Sequence, residues 1–75
     1  MKRIAGHIAI VQEQRFRLVA DNGRGFLFTV PHNSTVTHDD LLRFRDKSQR
    51  LVVEYDGEPN TISAVAAKIH LPESN

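Results

Sequence analysis

Between residues 15 and 30 the chain reads Arg-Phe-Arg-Leu-Val-Ala-Asp-Asn-Gly-Arg-Gly-Phe-Leu-Phe-Thr-Val, two alternating apolar and polar arms around Asp21-Asn22-Gly23. Alternation with period two is the mark of a half-buried strand, and a turn cluster between two such arms makes a β-hairpin. The turn has two constructions. A two-residue loop at Asn22-Gly23 pairs Asp21 with Arg24 and sets Phe26 and Phe28 beside Arg15 and Arg17. A three-residue loop with Gly23 in the left-handed bulge position pairs Ala20 with Arg24, Leu18 with Phe26 and Phe16 with Phe28. The second is preferred, because it sorts three rings and Leu18 onto one face and the arginines onto the other.

The remaining pattern supplies three more strands and a helix. Residues 2–11 alternate Ile4, Ile8 and Ile10 with Ala5, His7 and Ala9, and Gly6 interrupts the apolar row where a long first strand needs to bend. Pro31 ends the third strand, and His32-Asn33-Ser34 continue as loop. Thr37 is a helix N-cap, Asp39 and Asp40 suit the positive end of the helix dipole, and Val36 and Leu41 have the spacing of a hydrophobic staple. The helix is expected over about residues 38–47, burying Leu41 and Phe44. Leu51, Val53 and Tyr55 form one face of a fourth strand, residues 50–55, and residues 56–60 make a loop. In a fifth strand over residues 61–71, Val65, Ala67 and Ile69 are expected inward, and Ala64, Ala66 and Lys68 outward. Residues 1–71 read as one domain and 72–75 as a flexible tail.

Strand, strand, strand, helix, strand, strand in so short a chain predicts a mainly β protein. The pattern fits a five-stranded OB-like Greek-key barrel with one short helix between strands three and four, and an SH3-like barrel is the alternative. Residues 16–23, Phe-Arg-Leu-Val-Ala-Asp-Asn-Gly, followed by an apolar strand, a short helix and Arg50-Leu51-Val52-Val53-Glu54-Tyr55, resemble bacterial translation initiation factor one and the S1-type RNA-binding domains. The resemblance spans roughly residues 3–70. It implies RNA contact through the outer face of strands two and three. The chain departs from that group in its near-neutral charge and in the acids Asp56 and Glu58 of the loop after strand four.

Composition narrows the function. Ten Lys plus Arg against nine Asp plus Glu give a net charge of +1, so affinity for nucleic acid must come from local clustering. There is no cysteine in the 75 residues, which removes disulfides and thiolate metal sites, and His7, His32, His38 and His70 are scattered without ligand spacing. No cofactor or metal is expected, and no nucleophile elbow, phosphate loop or dinucleotide fingerprint occurs, so the chain is expected not to be an enzyme. No run of ~20 apolar residues suggests a membrane span, and a cytoplasmic protein is expected.

Two basic clusters stand out. With the rings turned inward, the outer hairpin face carries Arg15, Arg17, Val19, Gly25, Leu27 and Thr29, with Arg24 and Arg43 at its margins. Arginines there suit phosphate, and Leu27 suits a base or a partner side chain. Arg43, Arg45, Lys47 and Arg50 form the second cluster, but Asp39, Asp40 and Asp46 lie among them, and a solvated, ion-paired helix face is the simpler reading. Arg24-Gly25-Phe26-Leu27-Phe28 also resembles the ring-stacking core of RRM and cold-shock proteins, which the alternative register would turn outward. Single-stranded RNA or DNA is thus the expected ligand of Arg15, Arg17, Arg24, Leu27, Thr29 and Arg43, with a protein partner as the alternative.

Overall fold

A computed structural model of the chain describes residues 2–31, 34–58 and 64–72. The alternating arms pair as expected. Strands β1 (Lys2–Gln12), β2 (Arg15–Ala20) and β3 (Gly25–Thr29) run antiparallel in sequence, helix α1 (His38–Asp46) follows, and β4 (Leu51–Asp56) and β5 (Val65–His70) complete the set. The strands close into a barrel in the order β1-β2-β3-β5-β4, with β3 and β5 parallel through the pair Thr29 and Val65. That order, with a nine-residue helix between β3 and β4, is the OB-like Greek-key barrel and not the SH3-like alternative. The expectations for residues 32–33, for the loop at 59–60, for the start of the last strand at 61–63 and for the tail at 73–75 lie outside the described residues.

The hairpin adopts the three-residue loop. Phe16 pairs with Phe28 and Leu18 with Phe26. Gly23 is left-handed at φ 87°, its N–H donates to the Ala20 carbonyl (2.8 Å), and the Ala20 N–H donates to the Arg24 carbonyl (2.8 Å). Asn22 helps hold the turn, its side-chain oxygen accepting from the Arg24 N–H at 3.0 Å. The rings of Phe16, Phe28 and Tyr55 pack in a tilted series in the barrel, with centroids 5.6 and 5.0 Å apart and planes inclined at 40° and 52°. Phe26 lies half-buried at the rim of the same cluster.

Two β-bulges shift the alternation that the sequence suggests. In β1, Ile8 pairs with Leu18 but Ile10 pairs with Arg17, so Ala9 is the extra residue. Beyond it the parity reverses: Val11 turns toward the core and Ile10 is left 51% exposed on the outer face. In β5 the extra residue is Ala67, since Glu54 pairs with Lys68 and Tyr55 with Ala66. The expected inward row of Val65, Ala67 and Ile69 is therefore corrected. Ala64 and Ala66 are buried, Val65 and Ala67 are only half-buried, and Ile69, on the far side of the bulge, still packs against the core. Gly6 pairs with Ala20 of β2 and with Leu51 of β4, at the point where β1 passes from one neighbour to the other.

The helix plugs the barrel as its pattern requires. Thr37 and Asp40 form a reciprocal capping box: the Thr37 hydroxyl accepts from the Asp40 N–H at 3.1 Å, and an Asp40 carboxylate oxygen accepts from the Thr37 N–H at 3.0 Å. Leu41 is fully buried and Phe44 packs on the core. At the other end the Ser48 N–H donates to the Arg45 carbonyl and the Gln49 N–H to the Phe44 carbonyl, the Schellman pattern, with Ser48 left-handed at φ 48°. An L-residue pays about 1 kcal/mol or more in that conformation. Ser48→Gly is accordingly expected to stabilise the protein by about 1 kcal/mol, a rise of roughly 4–8 °C in Tm that a thermal melt followed by circular dichroism would register.

Candidate nucleic-acid interface

The outer face of β1, β2 and β3 is built by register. Arg15 pairs with Thr29 and with Gln12, and Arg17 pairs with Leu27 on one side and Ile10 on the other. Ile10, Arg17 and Leu27 thus form one row across three strands, the guanidinium-bearing residue between two exposed aliphatics, of which Leu27 is 41% exposed. An open cleft of 220 Å³ lies along this row, lined by Ile10, Gln12, Arg15, Phe16, Arg17 and Leu27. A larger cleft of 790 Å³ shares Gln12 and Arg15 and continues over the β1–β2 turn to Thr29. That turn is braced by α1, where His38 donates from Nδ1 to the Glu13 carbonyl at 2.8 Å.

Charge on this face differs from charge elsewhere. No carboxylate among the described residues lies within ion-pair distance of Arg15 or Arg17, and the strand positions of the face carry no acid. The arginines of the second basic cluster are paired in place. Arg43 pairs with Asp40, Arg45 with Asp46 at 3.0 Å, and Arg50 with Asp21 of the hairpin loop at 2.5 Å. The hydrogen bond from Arg50 holds the Asp21 carboxyl below the usual carboxylate range, and Asp21 in turn raises Arg50. Asp40 is lowered chiefly by the Thr37 backbone N–H, with Arg43 adding to the effect.

On the opposite side of the barrel, β4 places Glu54 between Arg3 (3.2 Å) and His70 (3.3 Å). Partial burial pushes the Glu54 carboxyl up, but Arg3, His70 and Lys68 together hold it net below its ordinary value. Asp21 and Asp46 are exposed and Asp40 and Glu54 half-buried, and every cationic partner reaches solvent, so each pair orders side chains and adds little to stability.

The six residues singled out from the sequence fall in three places. Arg15, Arg17, Leu27 and Thr29 come together on the outer face. Arg24 turns to the other side of the hairpin, where its guanidinium carbon sits 5.9 Å from the centre of the Phe26 ring. Arg43 lies on the helix, engaged by Asp40. Sequence reading missed Ile10, because only the bulge at Ala9 brings it to this face. Gly25, expected on the outer face, opens β3 and lies beneath the Arg17 guanidinium. Among the described residues no group of three or more His, Asp or Glu is arranged to hold a metal, and no helix is long and apolar enough to cross a membrane. No known family model matches the chain, and neither a curated protein nor a solved structure is significantly similar to it.

Proposed function

We propose that the chain is a non-catalytic, cytoplasmic binding module that takes single-stranded nucleic acid, RNA foremost, on the outer face of β2 and β3. The observation that carries this reading is the state of the arginines: among the described residues no acid lies within ion-pair distance of Arg15 or Arg17, which stand beside exposed apolar side chains, whereas the helix arginines are paired. Phosphate is the anion that such unpaired guanidinium forks recognise best. The OB-like strand order and the resemblance of residues 16–23 and 50–55 to initiation factor one and S1-type domains support the same reading. With the rings of Phe16 and Phe28 buried, base contact falls to aliphatic side chains, which favours weak binding with little base preference.

Changing Arg15 and Arg17 together to alanine is expected to leave the melting transition in place and to weaken binding of a mixed-sequence single-stranded RNA by about tenfold or more, each charged contact contributing about 1.5–3 kcal/mol at most. Amide NMR titration at low and at physiological salt reads this out. Shifts centred on residues 15–29 that shrink as salt rises are the expected result. The exposed pair Ile10 and Leu27 favours a protein partner as the second reading. That reading calls for an unmoved spectrum with RNA and for partner capture that survives moderate salt.

A further inference from the structure

Gly25 has no conformational reason to be glycine. It lies within β3 outside the left-handed region that Gly23 and Gly57 occupy, and glycine inside a strand is destabilising relative to alanine. What fills the space of its missing side chain is Arg17. A methyl carbon at Gly25 would lie 2.6 Å from Nη2, 2.7 Å from Nε and 3.0 Å from Cζ of Arg17. It would be nearer to both nitrogens than to the carbon between them, so the Nε/Nη2 edge of the guanidinium rests on Gly25. The Nη1/Nη2 end is the fork left for an anion. Along the same row Ile10 and Leu27 flank Arg17, one strand spacing of about 4.8 Å to either side.

We propose that Ile10, Arg17 and Leu27 form a seat for one nucleotide of a single strand, with Gly25 as the positioning residue that sets the guanidinium. This rests on the nucleic-acid reading above and adds to it the unit recognised. The guanidinium fork takes the phosphate, and the base lies against one of the two aliphatic side chains. A duplex offers phosphates but keeps its bases stacked and paired, so it leaves Ile10 and Leu27 uncovered; an unpaired strand can cover them. A freely swinging arginine would lose side-chain freedom on binding, and one already resting on Gly25 loses less.

The test pairs Gly25→Ala with Arg17→Ala and with the double variant, using fluorescence anisotropy of a short labelled single-stranded RNA and of an abasic sugar-phosphate oligomer of equal length. The added methyl meets only the mobile end of a side chain, so Gly25→Ala is expected to fold and to melt no lower than the parent. Its affinity for the RNA is expected to fall about tenfold although no charge is removed, with the log–log salt slope smaller by about 0.7, the value of one phosphate contact. In the Arg17→Ala background the same change is expected to cost nothing further, and the abasic oligomer is expected to bind the parent more weakly than the RNA. Unchanged RNA affinity in Gly25→Ala, or an equal loss with and without Arg17, overturns the seat while leaving the broader reading standing. Equal binding of the abasic oligomer and the RNA removes the base from it. A parent protein that binds neither oligomer at low salt overturns both proposals.

Discussion

Gly6→Ala is expected to cost this protein about 3 kcal/mol or more, lowering Tm by about 15 °C or more. The residue sits where β1 passes from β2 to β4, paired with Ala20 on one side and Leu51 on the other. An added methyl carbon would lie 2.2 Å from the Val19 carbonyl oxygen, 2.7 Å from the Ala20 Cα and 2.8 Å from the Val19 carbonyl carbon. All three are backbone atoms of a hydrogen-bonded neighbour, so no rotamer change relieves them, and β1 and β2 must separate. A small domain has the lower part of the usual ~5–15 kcal/mol to lose. Thermal and denaturant melts, with amide dispersion as a check on the fold, measure it. An unchanged Tm would mean that the strands do not cross this closely. The comparison with Gly25→Ala is informative, since the same methyl group meets rigid backbone at one position and the movable end of an arginine at the other.

Phe28→Ala is expected to destabilise by about 3–5 kcal/mol while leaving the arginine face chemically untouched. Phe28 is fully buried, with its ring between those of Phe16 and Tyr55, and its removal opens a cavity at the centre of the barrel. The variant also decides between the two hairpin registers. In the register with outward rings, Phe28 stacks on a base, and its loss would abolish RNA binding at little cost in stability. In the three-residue-loop register the melt is expected to shift steeply, and whatever fraction remains folded is expected to bind the proposed RNA ligand as the parent does. Phe26→Ala is expected to cost less, because that ring is only half-buried at the rim.

The elements of the barrel were legible wherever the decisive interactions are short in sequence. Asp21-Asn22-Gly23 selects the turn, and the turn selects the register, because only the three-residue loop puts Phe16, Leu18, Phe26 and Phe28 in one row. Thr37, Asp40, Val36 and Leu41 define the start of α1 within one helical turn, and the paired state of Arg43 and Arg45 follows from acids one and three residues away. Four of the six candidate site residues, Arg15, Arg17, Leu27 and Thr29, fall on one face by hairpin alternation alone.

What the chain's pattern does not carry is anything that depends on a strand's second neighbour. The bulges at Ala9 and Ala67 each add one residue with no compositional mark, yet each puts the two sides of its strand out of phase, sending Ile10 out and Ala66 in. The pairing of Arg50 with Asp21 spans 29 residues, and closure of the barrel rests on Thr29 meeting Val65. That the Arg17 guanidinium lies against Gly25 shows only once β2 and β3 are paired. Sequence determined which segments are strands, which is the helix and how the central hairpin pairs, since periodicity and caps act over a few residues. Tertiary structure decided which side chains share the outer face, because a face is assembled from three strands whose relative register is set by contacts across the whole barrel.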